Sequence, residues 1–183
     1  MLSLEEISAR VEIYDALLRY CRGIDRRDHA LIQSAYFPDA LDQRAYNPDD
    51  ASPKGIADRA VAGFGELPEY SQHHITNVII ELDIAAGVAK VESYHIAFHP
   101  VGPETSLKFA PEDGQCHLRF AGGRYLDRFE CRNGEWRIAE RVSVVDWSRD
   151  DIPGNPIWPT LREGFLSGAV GADPSYTKLG MKG

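Results

Sequence analysis

The sequence predicts a single α+β domain in which helices pack on one face of a curved antiparallel sheet. The first part of the chain has helical periodicity, whereas from residue 72 the apolar residues alternate as they do in strands. The dipeptide Asn133-Gly134 separates two long alternating segments and favours a type I′ hairpin turn. Helices followed by an antiparallel meander are typical of the α+β class.

Length and composition indicate a globular domain with a substantial core. The 183 residues are 43% hydrophobic and 26% charged, with a formal net charge of −8. This acidic balance argues against nucleic acid as a partner, because phosphate contacts need a clustered basic face. No signal peptide and no apolar run of the ~18 residues needed to span a membrane are visible, so we expect a cytoplasmic protein with no membrane partner. Three cysteines without a C-x-x-C motif predict neither a disulfide scaffold nor a thiolate zinc site.

The N-terminal segment predicts a capped helix, because Ser3 and Glu6 have capping-box spacing. Apolar residues then recur at steps of three and four and predict a buried stripe: Leu4, Ile7, Val11, Tyr14, Leu18 and Cys21. The next position in this series is Asp25, so the register directs a carboxylate towards the apolar side. A buried carboxylate is costly unless it is paired. Its partner could be Arg26 or Arg27, or a group elsewhere in the chain.

Two further helices are predicted from their caps. Asp28 is a typical N-cap and predicts a short helix that runs to Phe37. A third helix begins at Ser52-Pro53 and ends near Gly65 or Pro68. The residues between these two helices predict a loop with one short strand.

Four strands are predicted in the second part of the chain, at residues 72–83, 89–99, 116–132 and 135–147. The pair Gly122-Gly123 interrupts the third of them and indicates a bulge or bend. Residues 148–183 combine prolines with large apolar side chains. We therefore expect residues 1–147 to form the domain and the tail to pack on it or on a neighbouring subunit.

The histidines do not have the spacing of a metal site. His95 and His99 on one strand would lie roughly 13 Å apart, too far to share an ion. His73 and His74 are adjacent in a strand and point to opposite faces. The sequence also lacks H-E-x-x-H, G-x-S-x-G and a glycine-rich phosphate loop, so neither a metal nor a nucleotide cofactor is expected.

Five fragments, taken in order, carry a resemblance to a known family. They are the capped first helix, Tyr20-Cys21-Arg22-Gly23-Ile24-Asp25, His73-His74-Ile75-Thr76-Asn77, Gly123-Arg124-Tyr125-Leu126-Asp127-Arg128-Phe129-Glu130 and Asn133-Gly134-Glu135-Trp136-Arg137-Ile138. Together, over residues 3–147, they resemble the SnoaL-like branch of the nuclear transport factor 2-like superfamily. The resemblance implies a cone, in which a strongly curved antiparallel sheet is closed by N-terminal helices around an apolar pocket.

The resemblance also implies a catalytic pair. In scytalone dehydratase, bile-acid dehydratase and hexachlorocyclohexane dehydrochlorinase, an Asp at the end of the first helix pairs with a His on the first long strand. Those positions correspond to Asp25 and His73. His73 would then take a proton while Asp25 holds its other ring nitrogen, with no metal or cofactor involved.

Five further positions are implied as substrate contacts. Tyr20 would donate a hydrogen bond to a leaving hydroxyl, and Arg141 would stabilise developing negative charge. Tyr125 and Asn77 would line the pocket, and His95 would act as a second acid or base. A role for His95 as an ordinary sheet histidine stays open.

Strand alternation disagrees with the resemblance at the histidine pair. His74 shares its parity with Val78, Ile80 and Leu82, the more apolar set, so alternation alone would turn His74 inward. We follow the resemblance and choose His73. A bulge or the curvature of the sheet would reconcile the two.

The first functional hypothesis is a cofactor-independent lyase of the dehydratase or eliminase type, acting on a small, largely apolar aromatic or alicyclic compound. An isomerase or polyketide-type cyclase that uses the same base is the second hypothesis. The third is a binding or assembly module without catalysis. The resemblance further implies a homodimer or homotrimer.

Overall fold

The computed structural model describes residues 1–44, 51–62, 71–103, 111–151 and 167–182, and these form an α+β domain. The elements, in chain order, are α1 (Leu4–Asp25), α2 (His29–Ser34), β1 (Tyr36–Arg44), α3 (Pro53–Ala62), β2 (Gln72–Asp83), β3 (Val88–Val101), β4 (His117–Arg132), β5 (Glu135–Asp151) and α4 (Pro174–Thr177).

The five described strands form one curved, open sheet in the order β1-β5-β4-β3-β2. Strands β2 to β5 are antiparallel neighbours, and β1 runs parallel to β5 at the edge. Helices α1, α2 and α3 pack against the concave face, where their apolar side chains and those of the sheet share one core. The predicted meander with helices on one face is confirmed.

Helix α1 begins with the predicted capping box. The Ser3 hydroxyl accepts a hydrogen bond from the Glu6 backbone N–H at 3.1 Å, and the Glu6 carboxylate accepts one from the Ser3 N–H at 2.7 Å. These two bonds satisfy backbone donors that the first turn leaves without a partner inside the helix.

The predicted buried stripe of α1 is wrong except at Cys21. From Leu4 to Leu18 its residues are exposed, with Tyr14 the least exposed at 40% and Leu4 the most at 83%. The buried face is formed by a neighbouring stripe: Ala9, Ile13, Ala16, Leu17, Tyr20 and Cys21. Periodicity detects both stripes, but it cannot tell which of them has a sheet opposite, and small alanines let the helix approach the sheet closely.

The second helix is shorter than predicted. Asp28 caps it as expected, because its carboxylate accepts a hydrogen bond from the Leu31 N–H at 2.9 Å. The helix ends at Ser34, however, and Tyr36 begins strand β1, which pairs with Ile138 of β5. This partner lies about a hundred residues later in the chain, so no local pattern reveals it.

The third helix begins at Pro53 as predicted, and the Ser52 hydroxyl accepts a hydrogen bond from the Gly55 N–H at 3.0 Å. It is described to Ala62, and its predicted end at Gly65 or Pro68 lies outside the described residues.

The hairpin between β4 and β5 is confirmed. Asn133 and Gly134 have φ values of 54° and 82°, the positive pair that a type I′ turn requires. The register shifts between Gly122 and Gly123, so the predicted irregularity is present. The extra residue is Asp146 of β5, which lies opposite the two glycines of β4.

Strand β5 continues to Asp151, past its predicted end at Trp147. The sheet therefore extends into the segment that was predicted to be a separate tail. Residues 152–166, which carry Trp158 and Phe165, lie outside the described residues.

The described end of the tail contacts the junction of α1 and α2. The Val170 N–H donates to the Arg26 carbonyl at 2.7 Å, and the Arg26 guanidinium lies 3.2 Å from the buried carboxylate of Asp173. The Arg22 guanidinium stacks over the Tyr176 ring, 4.9 Å from its centroid. These contacts hold the chain terminus beside the C-terminal end of α1.

Gly23 allows α1 and α2 to pack closely. A Cβ atom at this position would lie 2.7 Å from Cγ1 of Ile32 and 2.8 Å from its backbone nitrogen. At an exposed helix position, alanine in place of glycine would stabilise the protein by about 1 kcal/mol. Here we expect Gly23→Ala to lower the free energy of unfolding by about 1–3 kcal/mol through overpacking. Urea unfolding measures this, with the exposed Ser8→Ala in the same helix as control; a more stable Gly23→Ala protein would contradict the packing argument.

Candidate active site

The last residue of α1 meets the start of β2 through a carboxylate–imidazole pair. Nδ1 of His73 lies 2.7 Å from Oδ1 of Asp25, and the His73 backbone N–H donates to Oδ2 at 3.0 Å. The Ser71 hydroxyl donates to the same carboxylate at 3.1 Å. The side chains of Asp25 and His73 are 13% and 11% exposed. The alternative that Asp25 pairs with a neighbouring arginine is wrong, since Arg26 pairs with Asp173 instead.

A bulge in β2 explains why His73 faces the helix. His73 and Ile75 pair with β3 in one register, the register shifts, and pairing resumes at Val78. The two residues in the bulge, Thr76 and Asn77, are both exposed. The extra residue reverses the alternation, so that His73 and Ile75 lie on the same concave face as Val78.

The same bulge determines the positions of two residues considered in the sequence analysis, His74 and Asn77. His74 lies on the opposite side of β2, is exposed, and its Nε2 contacts the side chain of Gln72 at 3.1 Å. Alternation failed here because it assumes an uninterrupted strand. Asn77 is exposed in the bulge and does not reach the concave face, so its predicted contact with substrate does not fit its position.

The pair has the geometry of a general base. A carboxylate on Nδ1 holds the proton on that nitrogen and leaves the lone pair on Nε2. Nε2 of His73 makes no hydrogen bond within the described part of the chain. Asp25 and His73 line an open cleft of about 470 Å³ that also contacts the apolar side chains of Leu31 and Met181.

Two more histidines lie on the concave face next to His73. His99 stacks parallel to the His73 ring with centroids 6.4 Å apart, and His95 stacks on Tyr125 at 4.2 Å. Burial, followed by repulsion from the His73 ring in its protonated form, lowers the pKa of both His95 and His99 to about 4. Both imidazoles are therefore neutral at pH 7. Sequence reasoning treated His99 only as a metal ligand, although its spacing from His95 already places both on one strand face.

The concave face also presents buried polar atoms that make no hydrogen bond. Within the described residues, Oγ of Ser93 and Nδ1 of His95 are buried without a partner. Ser93 pairs directly with Tyr125 across β3 and β4, so these groups cluster at one place. A buried polar group without a partner costs about 1–3 kcal/mol. Native proteins keep few such groups, and each one needs an explanation.

Arg141 forms a buried ion pair below the concave face. It is fully buried, and it donates two hydrogen bonds of 2.7 Å to the carboxylate of Asp127 and a third, of 3.2 Å, to the Tyr36 hydroxyl. Burial by itself lowers the pKa of Arg141, but the Asp127 carboxylate together with the Tyr36 and Tyr20 side chains outweighs burial and raises that pKa well above its ordinary value. Its guanidinium also lies over the Tyr125 ring, 4.0 Å from the centroid. These contacts give Arg141 a structural role.

Tyr20 belongs to the same buried network. Its hydroxyl accepts a hydrogen bond of 2.6 Å from Arg44, which also binds the buried carboxylate of Asp42. The hydroxyl proton of Tyr20 is not used by any bond within the described residues. Tyr20 and Tyr125 meet edge to face with centroids 5.7 Å apart, so both predicted residues lie in the interior between α1 and the sheet.

The neutral histidines predict a loss of stability in mild acid. Between pH 6.5 and about 4 the unfolded chain holds protons on these imidazoles that the folded chain does not, so the free energy of unfolding falls as the pH decreases. The stability that depends on the neutral state of these imidazoles is fully present above pH 6.5, and it is lost as the pH falls towards 4. We expect His95→Phe, which keeps a ring on Tyr125, to flatten the decline by at most about 1.4 kcal/mol per pH unit. Urea unfolding at pH 6.5 and at pH 5 gives the free energy of unfolding of the wild type and of His95→Phe. An equal decline in both proteins between these pH values would contradict the buried neutral state of His95.

Two features are absent from the described ranges of the chain. No helix there is both long and apolar enough to cross a membrane. No group of three or more His, Cys, Asp or Glu side chains there is arranged to hold a metal ion.

Comparison with known proteins places most of this chain in a family. Residues 5–142 match the model of the SnoaL-like domain. The chain belongs to the SnoaL-like family. The predicted resemblance is thereby confirmed. An uncharacterized protein of Mycobacterium tuberculosis is similar to this chain, with 32% identity over 145 residues that cover 79% of this chain and 90% of the relative.

Solved structures show the same fold. A hexachlorocyclohexane dehydrochlorinase from Novosphingobium barchaimii has a TM-score of 0.64 at 18% identity, covering 84% of this SnoaL-like chain and 98% of its own. A protein from Novosphingobium aromaticivorans, provisionally named scytalone dehydratase, has a TM-score of 0.60 at 17% identity, covering 91% and 96%. This fold is thus shared with a protein named a dehydrochlorinase and with one provisionally named a dehydratase.

Proposed function

We propose that this SnoaL-like protein is a cofactor-independent lyase in which His73 is the general base and Asp25 its positioning partner. The observation that carries the proposal is the 2.7 Å contact between Nδ1 of His73 and Asp25, which leaves Nε2 for a substrate. The substrate class is a small, largely apolar aromatic or alicyclic compound. The names of the dehydrochlorinase and of the provisional dehydratase with the same fold support this class of reaction.

The proposed elimination proceeds in one proton transfer and one bond cleavage. Nε2 of His73 takes a proton from a substrate carbon, and the electron pair of that C–H bond forms the new double bond. The leaving group departs with the electron pair of its own bond. The Asp25 carboxylate stabilises the imidazolium, which then returns its proton to the leaving group or to solvent.

The other concave-face residues are proposed as substrate contacts. Tyr20 has a hydroxyl proton to donate, and neutral His95 has a buried Nδ1 without a partner in the described chain. Tyr125 would form the wall between them. General base catalysis contributes about 10²–10⁴-fold, and such oriented polar groups supply more.

A panel of hydroxylated and halogenated alicyclic and aromatic compounds, followed by mass spectrometry, tests the proposal. We expect at least one product that has lost water or hydrogen halide. A product of unchanged mass would favour the isomerase or cyclase hypothesis. Tight binding without any turnover would favour a binding module and would overturn the proposed lyase.

The predicted homodimer or homotrimer stays part of the proposal, as does the cytoplasmic location. Support for self-association comes from exposed apolar side chains on β2, β3 and β5: Ile79, Ile96, Val145 and Trp147. Light scattering at micromolar concentration should give two or three times the chain mass, and a monomer mass would contradict self-association.

A further inference from the structure

The cleft beside the His73–Asp25 pair is cationic, although the chain as a whole has a net charge of −8. Among the described residues that line it, four are basic and two are acidic: Arg19, Arg22, Arg26 and Lys182, against Asp15 and Asp25. Positive charge concentrated at one cleft of an acidic protein raises the local concentration of anions.

Two of these four cations are neutralised by carboxylates. Arg19 pairs with Asp15 one turn earlier in α1, and Arg26 pairs with Asp173 of the tail. The Asp25 carboxylate is bound by His73; because the proposed base is neutral, this carboxylate offsets part of the positive charge that remains. The remaining positive charge comes from Arg22 and Lys182.

Within the described residues, neither Arg22 nor Lys182 forms an ion pair. The contacts of Arg22 are neutral: Nη2 lies 3.4 Å from the Ser175 hydroxyl and Nη1 3.6 Å from the Met181 sulfur. These contacts, together with the stack on Tyr176, fix the position of the guanidinium without neutralising its charge. The tail thus contributes Lys182 to the cleft, and its contacts hold the Arg22 side chain of α1 at the same cleft.

The rest of the cleft lining is apolar. Leu18, Leu31 and Met181 surround the cleft together with the Cys21 side chain, whose thiol is kept neutral because burial raises its pKa to about 12. A ligand that satisfies this lining has an apolar body and one anionic group. A volume of about 470 Å³ fits a molecule of one or two fused rings.

We propose that the substrate is a small, mostly apolar organic carboxylate, whose anionic group binds Arg22 and Lys182 while its body lies against Leu31 and Met181. This rests on the proposed function, since it places the reacting carbon beside His73. The chain terminus thereby determines substrate specificity, because both Met181 and Lys182 belong to it.

Calorimetric binding of naphthoate and naphthalenemethanol to the full chain tests the proposal, because these two compounds share a body and differ in charge. We expect naphthoate to bind at least about tenfold more tightly at low salt, with the preference reduced in 1 M NaCl. Lys182→Gln and Arg22→Gln should each weaken naphthoate about tenfold, the size of one charge-assisted hydrogen bond, and leave naphthalenemethanol unchanged.

Two further variants separate charge from structure. Arg22→Lys keeps the charge but not the stacked guanidinium, so it should retain most of the preference for naphthoate. Arg149→Gln removes an exposed charge on β5 outside the cleft and should change neither affinity.

Equal affinities for the two compounds, or no binding of naphthoate at millimolar concentration, would overturn the carboxylate proposal. An effect of Arg149→Gln as large as that of Arg22→Gln would do the same. The binding measurement requires no turnover and applies equally to His73→Ala. A failed elimination assay with an intact preference for naphthoate would therefore refute the lyase and not the anion site.

Discussion

Replacing His73 by alanine is expected to slow the ring opening of nitrobenzisoxazole by about 10²–10⁴-fold, the usual contribution of a general base. This chromogenic compound needs only the removal of one carbon-bound proton, after which its N–O bond breaks to give a phenolate. It therefore reports on a base in an apolar site whatever the natural substrate is. The reason for the loss is that Nε2 of His73 is directed away from Asp25 and makes no other hydrogen bond in the described chain.

Asp25→Asn should cause a loss of the same order with little change in fold. The amide keeps the size of the carboxylate, but it no longer stabilises the imidazolium or enforces the proton on Nδ1 of His73. The matched control is His74→Ala, because His74 is the adjacent imidazole on the exposed face of β2. A double variant, His73→Ala with Asp25→Asn, that kept the wild-type rate would show that the pair is not catalytic.

Removing the guanidinium of Arg141 is expected to have the largest effect on stability. Arg141→Met leaves the carboxylate of Asp127 buried without its partner, which costs about 3–5 kcal/mol. Both side chains are fully buried, and two hydrogen bonds of 2.7 Å join them. Urea or thermal unfolding measures the change.

The double variant Arg141→Met with Asp127→Leu distinguishes two causes of instability: the loss of the ion pair itself, and the burial of a carboxylate without a partner. Because a well-packed apolar pair often replaces a buried ion pair without loss, the double variant should be more stable than Arg141→Met alone. Arg128→Gln, an exposed arginine on β4, serves as control and should change stability by no more than about 0.5 kcal/mol. A cost for Arg141→Met as small as that of the control would contradict its structural role.

The family resemblance in the sequence already paired Asp25 with His73 across nearly fifty residues. Alternation within β2 alone selected the wrong histidine, because it could not locate the bulge at Thr76 and Asn77. The bulge depends on how β2 pairs with β3, and pairing is a property of two strands. His99 and Ser93 entered the site for the same reason, since only the sheet brings them beside His73 and Tyr125.

What the sequence by itself determined were features that depend on neighbouring residues. The capping box at Ser3 and the turn at Asn133-Gly134 follow from backbone chemistry within a few residues, and both are present. Such features need no distant partner to be stable.

Only the tertiary structure decided which apolar stripe of α1 is buried, that Tyr36 begins a strand parallel to β5, and that Arg141 is buried in an ion pair with Asp127. Each of these depends on which surface lies opposite. An amphipathic helix with two apolar stripes, or an arginine near a pocket, has more than one favourable partner. The competition is resolved by burial and pairing between segments far apart in the chain, and that information is absent from any local window of the sequence.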